Sequence, residues 1–135
     1  METERKFSQR FPQFYEIVRE FPDFRLEAGL APEELEEIER KIDYRLHDGL
    51  KEFFSIASSL KMNGLSIKAR ELGPIVTPAT EAVIIGEFYL HQPGDRLLML
   101  PDDASIYYLE QRNGAITKMA KDMDEFLNHV LPRFL

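Results

Sequence analysis

The chain has 135 residues, with 24 acids against 17 bases for a net charge of −7, 44% hydrophobic residues and no cysteine. That length suits a single domain that buries a sizeable core without metal or disulfide, and the lack of cysteine excludes a disulfide scaffold, a thiolate zinc site and a cysteine nucleophile. The acidity argues against a phosphate-backbone ligand, no apolar run approaches the ~20 residues of a bilayer span, and the charged start Met1-Glu2-Thr3-Glu4-Arg5-Lys6 lacks the apolar stretch of a signal peptide; a cytoplasmic protein that binds neither nucleic acid nor membrane is expected.

The first element is a helix over 7–21. Phe7, Phe11, Phe14, Val18 and Phe21 recur at spacings of four and three, the stripe of a helix turned to a core. Pro12 suits a first turn, and Pro22 ends the run by moving Phe21 out of helical dihedrals. A second helix spans Pro32 to Ile42, with Leu35, Ile38 and Ile42 inward and Glu33 and Glu34 in the first turn, where the helix dipole favours acids. Glu36–Arg40 and Glu37–Lys41 are spaced to pair along its outer face. Ala31, just before it, offers no side-chain oxygen to the free N–H groups. A third helix is expected from Asp48 as N-cap, with Leu50, Phe53, Phe54, Ala57 and Leu60 inward, ending at a break over Lys61-Met62-Asn63-Gly64.

From Leu65 the chain changes to β-branched and aromatic runs between Gly and Pro punctuation at Gly73-Pro74, Pro78, Gly86 and Pro93-Gly94. Strands are expected over Val83–Phe88, Leu97–Leu100 and Ser105–Leu109. Asn113-Gly114 reads as a two-residue type I′ turn pairing 105–110 with 115–119. A last helix runs from Asp122 to Leu131, its cap completed by Glu125, with Met123, Phe126, Leu127, Val130 and Leu131 facing the sheet. Helices first and strands later give an α+β domain: a mostly antiparallel sheet of about four to six strands from the C-terminal half, packed against N-terminal helices and a C-terminal helix, in one domain of residues 1–135.

No catalytic or metal-binding pattern emerges. His129 lies four residues after Glu125, spaced as well for an exposed pair as for an acid–base or metal pair. His47 feeds the third helix, and His91 sits in a loop with no evident partner. Asp102-Asp103 fall far short of the six to eight oxygens that calcium takes. Ser58-Ser59 lacks a nucleophile elbow, and the seven glycines form no phosphate loop. A row of exposed acids gives no carboxyl a reason to differ from its neighbours. A non-enzyme without cofactor or metal is expected.

The order of features resembles the SUKH superfamily, which includes fungal cell-wall-synthesis regulators and bacterial immunity proteins. Gly29-Leu30 followed by the Glu-rich helix, Ile85-Gly86, Gly94-Asp95-Arg96-Leu97-Leu98, Ile106-Tyr107-Tyr108, Asn113-Gly114 and Ala120 through Phe126-Leu127 are similar to its landmarks over about 28–131. The chain departs from that pattern where His47 stands for a proline, where Ser58-Ser59 replaces Asn-Gly, and in lacking tryptophan. Gly86, Gly94, Asp95, Asn113 and Gly114 are carried over as structural, Gly94-Asp95 reading as a tight turn whose carboxylate satisfies backbone donors. The resemblance implies a protein-binding module, an immunity protein that neutralises a cognate toxin, with a regulatory scaffold for a cellular enzyme or signalling protein as the alternative and a small-molecule binder behind both. The acidic side chains Glu33, Glu34, Glu36, Glu37, Asp102 and Asp103 are then the expected contacts to a basic partner such as a nuclease domain, since residues 1–60 hold 14 acids against 9 bases.

Overall fold

The computed structural model describes residues 2–76, 80–89 and 92–134, so the readings of Pro78 and His91 lie outside the described residues. Its architecture is α+β, with helices on one face of an eight-stranded antiparallel sheet. Two strands more than the upper expectation appear, because the N-terminal half supplies two of its own.

The aromatic stripe at the start forms two helices rather than one. α1 spans Glu2–Arg10 and α2 spans Pro12–Val18, with Phe11 between them at φ −126°, ψ 62°. Pro12 drives the residue before it from helical geometry, so the break falls there, and Pro12 opens α2 instead of sitting in the first turn of a longer helix. The buried face survives the break: Phe7, Phe11, Phe14 and Val18 are all inside, while Phe21 lies beyond α2 and is half-buried. The Phe7 ring meets Phe11, Phe14, Phe24 and Phe53 at centroid distances of 5.2–6.3 Å.

α3 spans Pro32–Ile42, as the periodicity predicts, and Asp43 closes it in the left-handed region at φ 53°. α4 spans Asp48–Ile56; His47, not Asp48, is its N-cap, and it stops four residues short of Leu60. Residues Ala57–Met62 form a strand instead. A short apolar run fits either period, and hydrogen bonding to strands on both sides decides for β. Ala57 and Leu60 are buried as expected, but from a strand.

The strands are β1 (Arg25–Ala28), β2 (Ala57–Met62), β3 (Leu65–Lys68), β4 (Gly73–Val76), β5 (Glu81–Phe88), β6 (Arg96–Met99), β7 (Ile106–Leu109) and β8 (Ile116–Ala120). They lie in the order β1-β2-β3-β5-β6-β7-β8, with β4 also beside β5. β3 and β4 share one edge of β5, Leu65 opposite Phe88 and Val76 opposite Glu81, and a 3-10 turn at Ala69–Glu71 joins them. Two glycines permit close backbone approach. A Cβ at Gly29 would stand 2.0 Å from the Ser55 carbonyl oxygen, and one at Gly86, in the bulge of β5, 2.5 Å from that of Ser66.

The Asn113-Gly114 expectation needs correcting. Glu110 N–H bonds to the Ala115 carbonyl at 2.9 Å, leaving a four-residue loop of 111–114, and only Gly114 has positive φ, 74°. The two-residue I′ geometry occurs instead at Asn63 (φ 42°) and Gly64 (φ 85°), between the paired Met62 and Leu65.

The closing helix is also irregular. α5 (Met123–Glu125) continues as a π turn over Phe126–Val130 and a 3-10 turn over Leu131–Phe134. The Asp122 carboxylate accepts the Glu125 N–H at 2.8 Å, and Glu125 accepts that of Lys121 at 3.0 Å. All five residues expected to face inward are buried. Asn128 Oδ1, in the π turn, accepts the Phe14 N–H at 3.3 Å, supplying α2 with an acceptor that its N-cap Phe11 lacks. Arg10 Nη2 ties the helices together, 2.7 Å from Glu52 and 2.9 Å from Asp124. The main core lies between helices and sheet; a smaller cluster of Ala82, Leu98 and Leu109 occupies a separate region of β5–β7.

Candidate protein-binding surface

α3 turns Leu35 and Ile42 into the core and leaves Glu33, Glu34, Glu36 and Glu37 exposed. The row follows from the 3.6-residue period: once two positions per two turns face inward, the acids between them have only solvent to face. Its members are not equivalent. Glu34 Oε1 accepts the Ala31 N–H at 3.0 Å, half of a capping box, while its Oε2 lies 3.3 Å from Arg70 Nη2. Glu39, which sequence reading leaves aside, turns inward: its Oε2 accepts the Leu46 N–H at 2.7 Å and lies 3.5 Å from Lys51 Nζ.

Beside α3 is a groove of about 240 Å³. Ile38, Ile42, Ala69 and Leu72 form its apolar portion, and Glu34, Glu37, Lys41 and Arg70 its polar rim. Arg70 enters this surface only through the 3-10 turn between β3 and β4. No periodic signal in the sequence points to it, because the pairing of those strands with β5 is what brings residue 70 to α3.

Asp102 and Asp103 lie apart from the first-turn glutamates, in the β6–β7 connection near Tyr44, two residues past the end of α3. Burial pushes the Tyr44 hydroxyl up to about 12, with a further push from the negative charges of Asp102 and Asp103. An 11-residue helix is about 16 Å long, so Asp102, near Tyr44, lies towards the end of α3 remote from Glu33. Asp103 is also committed within the fold. Its carboxylate accepts the Tyr107 hydroxyl at 2.7 Å and the Ser105 N–H at 2.9 Å, and these bonds, the tyrosine's foremost, hold it down at about 2. Asp102 is exposed, at φ 56°.

The residues carried over as structural sit in turns and close approaches. Gly94 has φ 98°, and Asp95 beside it is fully buried. Asp95 Oδ1 accepts the Gln111 N–H at 2.9 Å, and Oδ2 accepts the Gln92 N–H at 3.4 Å and the Tyr108 hydroxyl. Asn113 Oδ1 accepts the Ala115 N–H at 2.9 Å.

His129 is exposed, and the Glu125 carboxylate is turned to the Lys121 N–H. His47 lines two grooves of about 200 and 250 Å³, and its buried Nε2 has no hydrogen-bond partner among the described residues. Among the described residues no three His, Asp or Glu side chains are grouped to hold a metal ion, and no helix is long and apolar enough to cross a membrane. No family model, curated protein or solved structure matches the chain.

Proposed function

We propose that this protein is a non-catalytic protein-binding module of the immunity type, which occludes a basic toxin domain with the outer face of α3. The observation that carries this reading is the row of four exposed glutamates beside a partly apolar groove. Such a face supplies both components of a recognition surface: charge that steers a basic partner over long range, and apolar area that gains free energy once water is excluded. Asp102 extends the acidic surface past the far end of α3, and the bonded Asp103 contributes charge without freedom to rearrange. A specific interface of this kind buries about 1,200–2,000 Å² in total, more than α3 alone presents, so the partner reaches the 102–103 turn as well.

The test is affinity capture from the native host, repeated with the triple variant E33K/E36K/E37K. A basic protein retained by the wild type and lost by the variant is expected, with an association rate that falls as salt rises. Equal capture by both proteins, or association indifferent to salt, would remove the α3 face from the mechanism. A captured housekeeping enzyme in place of a toxin would turn the reading to a regulatory scaffold on the same surface.

A further inference from the structure

The groove between α3 and the Ala69–Glu71 turn holds a cationic group of the protein's own. Arg70 reaches across it from the turn to Glu34, 3.3 Å away, with its side chain 70% exposed. Glu34 is held by the other end of its carboxylate, where Oε1 accepts the Ala31 N–H. One oxygen is thus fixed to the backbone and the other aimed at a guanidinium, a receptor organised before any partner arrives. Ile38, Ile42, Ala69 and Leu72 lie alongside, suited to the methylene stem of a long cationic side chain. An ion pair this exposed adds little to stability, so exchanging its cation costs the fold little.

We infer that Arg70 occupies, within the free protein, the place taken by an arginine of the partner, and that binding exchanges one guanidinium for the other at Glu34. This rests on the α3 face being the binding surface and adds what that face selects: a protruding arginine with an apolar neighbour, recognised by Glu34 and Glu37 and competed for by Arg70. Arginine is favoured over lysine because Oε1 keeps a second lone pair beside its bond to the Ala31 N–H, so a planar fork can still engage both oxygens, whereas an ammonium offers only a point charge.

The test uses the full chain and a capped hexa-arginine peptide, with hexalysine and hexacitrulline for comparison, followed by amide NMR shifts and calorimetry. Shifts centred on Glu34, Glu37, Ile38, Arg70 and Leu72 are expected, with hexa-arginine ahead of hexalysine and hexacitrulline inert. R70Q should tighten hexa-arginine binding by about threefold to tenfold, and E34Q should cancel that gain. R40Q removes the same charge from the exposed side of α3 outside the groove and controls for bulk electrostatics. Equal tightening by R40Q and R70Q, or no tightening by R70Q, would overturn the exchange while leaving the acidic-face reading in place. Binding unaffected even by E33K/E36K/E37K would overturn both.

Discussion

Asn63-Gly64 and Asn113-Gly114 place the same dipeptide in two hairpins of one sheet, and the chain turns differently at each. At the first, both residues take positive φ and Met62 pairs directly with Leu65. At the second, the ladder ends at Glu110 and Ala115, with Leu109 opposite Ile116. A two-residue turn at 113–114 would set Leu109 against Lys118 and Ile116 against Gln111. The observed register instead packs Ile116 with Leu109 in the smaller cluster and sets the Gln111 N–H on the buried Asp95 carboxylate. A local turn preference yields when apolar pairing and a charge-assisted hydrogen bond both favour another register. Asn63-Gly64 meets no such opposition.

Several substitutions would break or sharpen this contrast. Asp95→Ala should have the largest effect, near 3 kcal/mol, because the Tyr108 hydroxyl and two backbone N–H groups lose a buried acceptor. Urea unfolding measures the loss, and amide exchange should quicken across 106–120 ahead of 57–68. Equal quickening in both hairpins would show that Asp95 does not select the second loop. Asn63→Ala should cost about 1 kcal/mol, since alanine tolerates positive φ poorly. Asn113→Ala should cost about half that, losing only the bond to Ala115; a reversed order of unfolding midpoints would overturn the assignment of the two turns.

Acid should separate the hairpins too. Asp103, whose bonds to Tyr107 and Ser105 support β7, has a folded value of about 2, below the ordinary 3.8. Its contribution is therefore complete above pH 3.8 and disappears as pH falls through about 2. Stability of Asp103→Asn against pH, compared with wild type, should show the difference vanish across that window; a difference that persists below it would place the bonds' worth elsewhere. The one stabilising substitution belongs to α3. Ala31→Ser should stabilise by about 0.5–1 kcal/mol, because Ala31 already has the extended N-cap dihedrals φ −72°, ψ 158° and lacks only the oxygen. An unchanged urea midpoint would show that Glu34 alone suffices as the cap.

The features legible in the sequence are those set by neighbours within a turn or two. Pro32 and the spacing of Leu35, Ile38 and Ile42 give α3 its bounds, the 3.6-residue period identifies the inward side chains of the closing segment, and Asp122 caps its start as its spacing to Glu125 requires. The acidic row on α3 is legible for the same reason, as the face left over when the core stripe is assigned. Arg70 is not, since its place beside Glu34 depends on a turn between two strands sharing an edge of β5.

Local chemistry thus settles where helices can run, which side chains they bury and that the second half of the chain forms strands. Tertiary structure alone makes β2 of a run that would serve as another turn of helix, inserts a π turn that brings Asn128 to α2, and sets the register at Asn113-Gly114. In each case the local alternatives differ by little, and the decision falls to hydrogen bonds and apolar contacts with residues distant in the chain.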